Sequence, residues 1–235
     1  MKSAKHFPRC TRWRAFTLLE LLVVMGLIAA FSLLLIARWG NGGRAVSLKS
    51  AQALLANLVT VARTNALANG RSARILVQVD PASPSDPQRY LRYVVVQLNT
   101  VEGWQTVTDA FLPAGIYIVP GNFSSLPGGL FATSVTVPWR KADGTDLRST
   151  ALRSDQIFPD KINGMLSEQW VGVVLSANAG TLQSGDIVLA TGRRKAPGSY
   201  ADGDAPIELE NPADVRGLTL SSYGVPAFIN ARTSF

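Results

Sequence analysis

The sequence has almost no cysteine or histidine. It contains one of each in 235 residues, and both Cys10 and His6 lie within the first fifteen positions. A single cysteine cannot form an internal disulfide, and from residue 16 onward the chain has neither a thiol nor an imidazole. This excludes a cysteine nucleophile, a Ser-His-Asp triad and a metal site with histidine or cysteine ligands from that part of the chain. We therefore expect no catalytic residues and no enzyme activity.

Acidic residues are absent from the first fifteen positions, which are basic. The positive charges there are Lys2, Lys5, Arg9, Arg12 and Arg14. Without these five charges the formal net charge falls from +7 to +2. The net positive charge of the whole chain is therefore weak evidence that the chain from residue 16 onward binds nucleic acid. By the positive-inside rule, the basic segment stays in the cytoplasm and the segment that follows enters the membrane.

Charge is nearly absent from residues 16–37, which read FTLLELLVVMGLIAAFSLLLIA. A helix needs about 20 such residues to cross a hydrocarbon core, so we predict a transmembrane helix over residues 16–39. The one charge is Glu20, and a carboxylate within a bilayer costs a few kcal/mol and requires a compensating partner. A cleaved secretory signal is the alternative, but its apolar core would span only about 7–15 residues.

A small residue, a Phe and a Glu at the fifth apolar position follow the basic leader. This stretch, AFTLLELL at residues 15–22, resembles the signal of type IV pilins and pseudopilins. The resemblance implies that a prepilin peptidase cuts between Ala15 and Phe16 and methylates the new terminus at Phe16. It also implies that Glu20 meets the amine of a neighbouring subunit during fibre assembly. The family usually has Gly before the cut, and Ala15 is the next smallest side chain, so we still expect cleavage.

Three glycines stand among residues 40–43, directly after the apolar run. Each costs about 1 kcal/mol in a helix relative to alanine. Two interpretations stay open at this point. The stretch is either a loop between anchor and head, or a weak point in a long helix that lets the anchor pivot during assembly.

Between residues 44 and 69, apolar residues recur at spacings of three and four, as on one face of a helix. The stripe consists of Leu48, Ala51, Leu55, Leu58, Ala62 and Ala66. We predict that it packs against a sheet and that the helix stops at Asn69-Gly70.

From residue 73 the chain shows short runs of Val, Ile and aromatic residues between Pro- and Gly-containing turns. These runs predict strands at residues 74–79, 90–98, 104–111, 116–119, 170–175, 187–190, 215–221 and 225–229. The stretch between the predicted strands at 116–119 and 170–175 is long for a loop. We expect it to be an irregular insertion with a short helix near residues 148–157.

The expected fold class is α+β with the pilin-like architecture that the resemblance implies. A long amino-terminal helix, whose first half spans the membrane, packs on an antiparallel β-sheet head. The expected divisions are a leader at 1–15, the transmembrane helix at 16–39, an amphipathic helix linking to the head at 40–72, and a periplasmic head at 73–235. The irregular insertion in the head spans about residues 120–168.

A second resemblance rests on the end of the amphipathic helix and the strands that follow. Residues 62–66 read ARTNA, followed by NGR at 69–71 and RILV at 74–77. Trp104 precedes an LPAGI stretch at 112–116. This pattern is similar to the branch that contains the minor pseudopilin H of type II secretion and the minor pilin FimT.

The resemblance covers residues 15–119 and 170–230 loosely. It implies a minor pseudopilin that primes or caps a type II secretion pseudopilus, anchored in the inner membrane with its head in the periplasm. The implied partners are the prepilin peptidase, other pseudopilins of the fibre, the inner-membrane assembly platform and membrane lipid.

Basic residues near aromatic ones suggest an alternative. They are Arg140, Lys141, Arg193, Arg194 and Lys195. A basic surface with stacking groups is the minimal footprint for nucleic acid. Since FimT-type minor pilins of type IV pili can serve in DNA uptake, DNA is a partner in this alternative alone.

The carboxylates form no convincing pair for acid-base chemistry. Asp143 with Asp146, and Asp202 with Asp204, flank glycines, but neither pair has the spacing of a calcium loop, and Asp-Gly is a common turn signal. We therefore expect no metal ion and no cofactor. A membrane-anchored periplasmic enzyme is the remaining rival, and the absence of His and Cys after residue 15 weighs against it.

Overall fold

The computed structural model describes residues 18–81, 86–121, 127–132, 138–152, 157–160, 168–181 and 183–235. The chain divides into two compact units, Met1–Gly42 and Gly43–Phe235. The expected cleavage site at Ala15 and Phe16, and the leader before it, lie outside the described residues.

Among the described residues, one long helix is followed by ten strands and a short 3₁₀ helix. Helix α1 spans Leu18–Asn69, and the 3₁₀ helix spans Arg232–Ser234. The strands are β1 (Ala73–Gln78), β2 (Tyr93–Thr100), β3 (Gly103–Phe111), β4 (Ile116–Val119), β5 (Ile157–Asp160), β6 (Glu168–Leu175), β7 (Gly185–Arg194), β8 (Ile207–Leu209), β9 (Val215–Leu220) and β10 (Pro226–Ile229).

Helix α1 is helical through the glycine-rich residues 40–43. The loop interpretation of that stretch is therefore wrong, and the helical one remains. The helix ends at Asn69, as expected. Gly70 takes a left-handed conformation (φ +58°), and the N–H of Arg71 donates to the Ala66 carbonyl at 3.1 Å. A left-handed glycine directly after the last helical residue is a common helix stop because it lacks a Cβ.

The strands form two antiparallel sheets. The first sheet has the order β3-β2-β1-β6-β5, and the second has the order β10-β9-β7-β4, with β8 also paired to β7. The α+β class, with the long helix and antiparallel strands, is confirmed, although a single sheet was expected. All eight predicted strands are present within a few residues of their expected bounds, whereas β5 and β8 were not predicted.

The short helix expected near residues 148–157 is wrong for the residues that the structure describes there. Residues 149–152 form a turn, which the Leu152 N–H closes on the Ser149 carbonyl at 3.3 Å, and Ile157 begins β5. Strand β5 lies at the edge of the first sheet, where Phe158 is the partner of Trp170 on β6. Pro159 is tolerated at this position because an edge strand can dispense with one backbone donor. Backbone pairing with β6, the next strand along the chain, decided the structure of this segment.

The helix and both sheets share one core within the unit Gly43–Phe235. The six residues of the predicted stripe are at most 3% exposed, which confirms the prediction for this face of α1. They pack with the inward side chains of both sheets, such as Ile75 on β1, Val173 on β6 and Leu189 on β7. A second cluster covers the other face of the second sheet and includes Leu130 and Leu147.

Two polar side chains of α1 donate hydrogen bonds to the carboxyl-terminal strands and the turn between them. The buried Gln52 donates from Nε2 to the carbonyls of Gly217 and Ile229, at 2.7 and 2.9 Å. Further along the helix, Arg63 Nε donates to the carbonyl of Tyr223 at 3.3 Å. Arg63 therefore holds the turn between β9 and β10.

Candidate assembly site

The first turns of α1 surround one carboxylate with exposed apolar side chains. Glu20 is exposed, and so is each side chain described from Leu18 to Ala29. Leu18 and Leu19 are 83% and 74% exposed. A contiguous apolar surface of this kind is unfavourable in water and marks a region covered by lipid or by another protein.

Length and composition identify two apolar stretches in the described part of α1. Leu18–Ala29 is a short apolar segment, and Gly43–Asn69 contains a window long and apolar enough to cross a membrane. The second stretch buries one face against the sheets, as the core helix of a head does. Leu18–Ala29 instead coincides with the beginning of the predicted transmembrane helix. These features are consistent with a single-pass membrane-anchored chain.

The five basic residues of the DNA alternative lie in two groups. Lys141 Nζ is 3.0 Å from a carboxylate oxygen of Asp186, near the start of β7. Arg193 and Arg194 end the same strand. Seven residues of strand at roughly 3.3 Å each place Asp186 and Arg193 about 23 Å apart. The structure therefore does not bring the Arg140-Lys141 group together with the Arg193-Arg194-Lys195 group.

Two of these five positive charges are compensated within the chain. The Arg193 guanidinium donates to Glu208 at 2.7 and 2.9 Å and lies 3.7 Å from Glu210. The hydrogen bond to Glu208 raises the pKa of Arg193. Lys141 is paired with Asp186, and both side chains are largely buried. The Glu208 partner could not be found from the sequence, because it lies on β8, which was not predicted.

We expect the Lys141–Asp186 pair to stabilise the head. Lys141→Met leaves a mostly buried carboxylate that retains the Thr219 hydroxyl, at 2.9 Å, as a donor. Losing one partner of a fully buried pair costs about 3–5 kcal/mol, so we expect about 2 kcal/mol for this partly hydrated one. The measurement is guanidinium chloride unfolding of the full chain in detergent micelles. Arg194→Met is the control, since Arg194 is exposed, and equal losses in the two variants would contradict the assignment.

The turn at Asp143-Gly144 is stabilised by hydrogen bonds to its own aspartate side chain. Asp143 Oδ1 accepts hydrogen bonds from the N–H and the hydroxyl of Thr145 at 2.9 and 2.6 Å, which lowers the pKa of Asp143. This is the side-chain-to-backbone pattern by which Asp stabilises turns. Across the described residues, no group of three or more His, Cys, Asp or Glu side chains is placed to hold a metal ion.

Comparison with known proteins gives likenesses of structure alone. No family model matches the sequence, and no curated protein matches it. Two solved structures of the minor pseudopilin EpsH from the type 2 secretion system of Vibrio cholerae are similar to the chain. One has a TM-score of 0.38 at 8% identity, covering 78% of this chain and 97% of that one. The other has a TM-score of 0.35 at 12% identity, covering 79% and 94%.

A type IV minor pilin, FimU of Pseudomonas aeruginosa, is also similar, with a TM-score of 0.34 at 11% identity over 77% of this chain and 87% of that one. The structural neighbours are thus pilin-like subunits, the class of protein that the sequence resembles.

Proposed function

We propose that the chain is a minor pilin-like subunit with a structural role. The observation that carries the proposal is the start of α1, where exposed apolar side chains surround the single carboxylate of Glu20. A surface of that composition suits a bilayer or a bundle of like helices, and a carboxylate within either requires a cation as its partner. The prepilin-like sequence at residues 15–22 supplies one, the amine of a chain that begins at Phe16.

The proposal has a definite topology. The basic leader lies in the cytoplasm, the inner membrane holds the apolar segment from Phe16 to about residue 39, and the head lies in the periplasm. Prepilin peptidase removes the leader and methylates Phe16. The assembly platform, other pilin-like subunits and lipid are the remaining partners. In a fibre, the Glu20 carboxylate of one subunit neutralises the Phe16 amine of its neighbour.

Within this class we favour a minor pseudopilin of a type II secretion pseudopilus, with a priming or tip role. The support is the resemblance of residues 62–77 to the branch that contains minor pseudopilin H. In the described structure, these residues form the last two turns of α1 and most of β1, and Arg63 in that part of α1 holds the β9–β10 turn. The wide separation of the two basic groups gives no single surface that favours the DNA alternative.

The proposal predicts that protein from native membranes begins at N-methylated Phe16. The measurement is the intact mass together with the amino-terminal sequence. Ala15→Gly restores the residue that the family usually carries and is expected to yield the same terminus. Ala15→Val puts a branched side chain before the cut and is expected to leave the leader in place. A wild-type chain that still begins at Met1, in cells with an active prepilin peptidase, would overturn the proposed processing.

A further inference from the structure

A cleft of about 530 Å³ opens at one end of the two sheets, beyond the last residues of β6 and beside the β9–β10 turn. The described residues that line it are uncharged, and most carry a hydroxyl or an amide. They include Ser72, Asn178, Thr181, Ser222 and Tyr223. The proposed assembly role does not involve this cleft.

Contacts between the turn that follows β6 and the β9–β10 turn fix the walls of the cleft before any ligand binds. The N–H of Thr181 donates to the carbonyl of Ser222 at 2.8 Å. Gly224 approaches the other turn so closely that a Cβ there would lie 2.3 Å from the Ala179 carbonyl oxygen. Arg63 on α1 also donates a hydrogen bond to the carbonyl of Tyr223. A site with walls fixed in this way loses little conformational entropy when a ligand enters.

The cleft presents neutral hydrogen-bonding groups. Asn178 Oδ1 accepts from the N–H of Gly180 at 3.1 Å, so the amide N–H₂ of Asn178 is left as a donor. The hydroxyls of Ser72 and Ser222 can each donate and accept. No cation among the lining residues offers a site for a phosphate or carboxylate, and no anion offers a site for an amine.

An exposed aromatic ring adds a second kind of contact. Tyr223 is 76% exposed at the cleft, although its backbone is held in place. A tyrosine ring combines a large apolar face with a polar hydroxyl. A ligand that matches this surface has an apolar face for the ring and several uncharged hydroxyl groups for the Ser and Asn side chains.

We propose that this cleft binds a neutral oligosaccharide. A pyranose ring has a face of C–H groups and a rim of hydroxyls, and it carries no charge. The cleft volume lies within the range of about 300–1,000 Å³ that is usual for small-molecule sites. This inference is independent of the proposed assembly role, because binding is measured on the isolated chain.

The test uses the full chain in a zwitterionic detergent without a sugar headgroup. The probes are tetra-N-acetylchitotetraose, cellotetraose and maltotetraose, with tetraalanine, acetylated and amidated at its ends, as an uncharged peptide; each is titrated to about 5 mM by calorimetry and by saturation-transfer NMR. We expect at least one of the sugars to bind with a Kd of about 1 mM or below. Tyr223→Ala and Asn178→Ala are each expected to weaken that binding about tenfold or more, and Tyr223→Phe to weaken it less than Tyr223→Ala.

Phe228→Ala is the matched control, since Phe228 is an exposed aromatic residue on β10 that does not line the cleft. It is expected to leave the sugar affinity unchanged, and circular dichroism establishes that each variant is folded. The proposal is overturned if no sugar binds, if only tetraalanine binds, or if folded Tyr223→Ala and Asn178→Ala variants bind as well as the wild type. Because no fibre is needed, these outcomes are distinct from failure of the assembly role.

Discussion

Replacing Glu20 with alanine is expected to abolish entry of the chain into a fibre while leaving membrane insertion and cleavage intact. Insertion depends on the apolar run, which the substitution makes more apolar. Cleavage depends on residues 15 and 16. Assembly in the proposed mechanism requires the Glu20 carboxylate to neutralise the Phe16 amine of a neighbour. Without it, an ammonium group lies uncompensated in an apolar environment at a cost of a few kcal/mol, so we expect at least about a tenfold drop in incorporation.

The measurement is the amount of subunit in sheared, purified fibres relative to the amount in the membrane. Glu20→Gln keeps the size and removes the charge, so it is expected to fail like Glu20→Ala. Leu22→Ala is the control, since Leu22 is an exposed apolar residue of the same helical segment. Normal incorporation of either Glu20 variant would refute the charge-pairing mechanism, and failure of Glu20→Ala to insert would refute the division between insertion and assembly.

Replacing Leu55 with alanine is expected to lower the free energy of unfolding of the head by about 2–5 kcal/mol. Leu55 is 1% exposed in the core that α1 shares with both sheets. The substitution removes buried methyl groups and leaves a cavity that the sheets can fill only in part. Since domains are commonly stable by only about 5–15 kcal/mol, this loss is a large part of the total.

Leu67→Ala makes the same chemical change on the same helix, where the side chain is 48% exposed. We expect it to cost less than about 1 kcal/mol, because little buried area is lost and alanine is the better helix former. Guanidinium chloride unfolding of both full-length variants, followed by tryptophan fluorescence, compares the two. Similar losses at both positions would contradict the assignment of the predicted stripe to the core.

The features that were predicted correctly depend on neighbouring residues in the chain. The stripe from Leu48 to Ala66 follows from helical periodicity, and the helix stop follows from Gly70. Strands such as β4, with four buried apolar residues between a glycine turn and a proline, are marked by composition alone. Each of these signals lies within one element, so no knowledge of the fold is needed to interpret it.

The features that were missed depend on pairing with a neighbouring strand, which composition within the segment does not reveal. Strand β5 has no strong strand signal and exists because Ile157 and Phe158 pair with β6. The three-residue strand β8 is defined by its pairing with the end of β7. The glycines at residues 40–43 have low intrinsic helix propensity, yet the backbone there is helical. Local propensity therefore does not explain the helix at these residues.

The sequence by itself determined a basic leader, an apolar run with one carboxylate, an amphipathic helix and most of the strands, because these are properties of short windows of the chain. Only the tertiary structure decided that Lys141 is paired with Asp186 and Arg193 with Glu208, and that β7 separates the two basic groups. It also brought Ser72, Asn178 and Tyr223 to one cleft, although they are far apart in the sequence. The physical reason is that ion pairs and clefts depend on distances in space, which strand pairing and core packing determine.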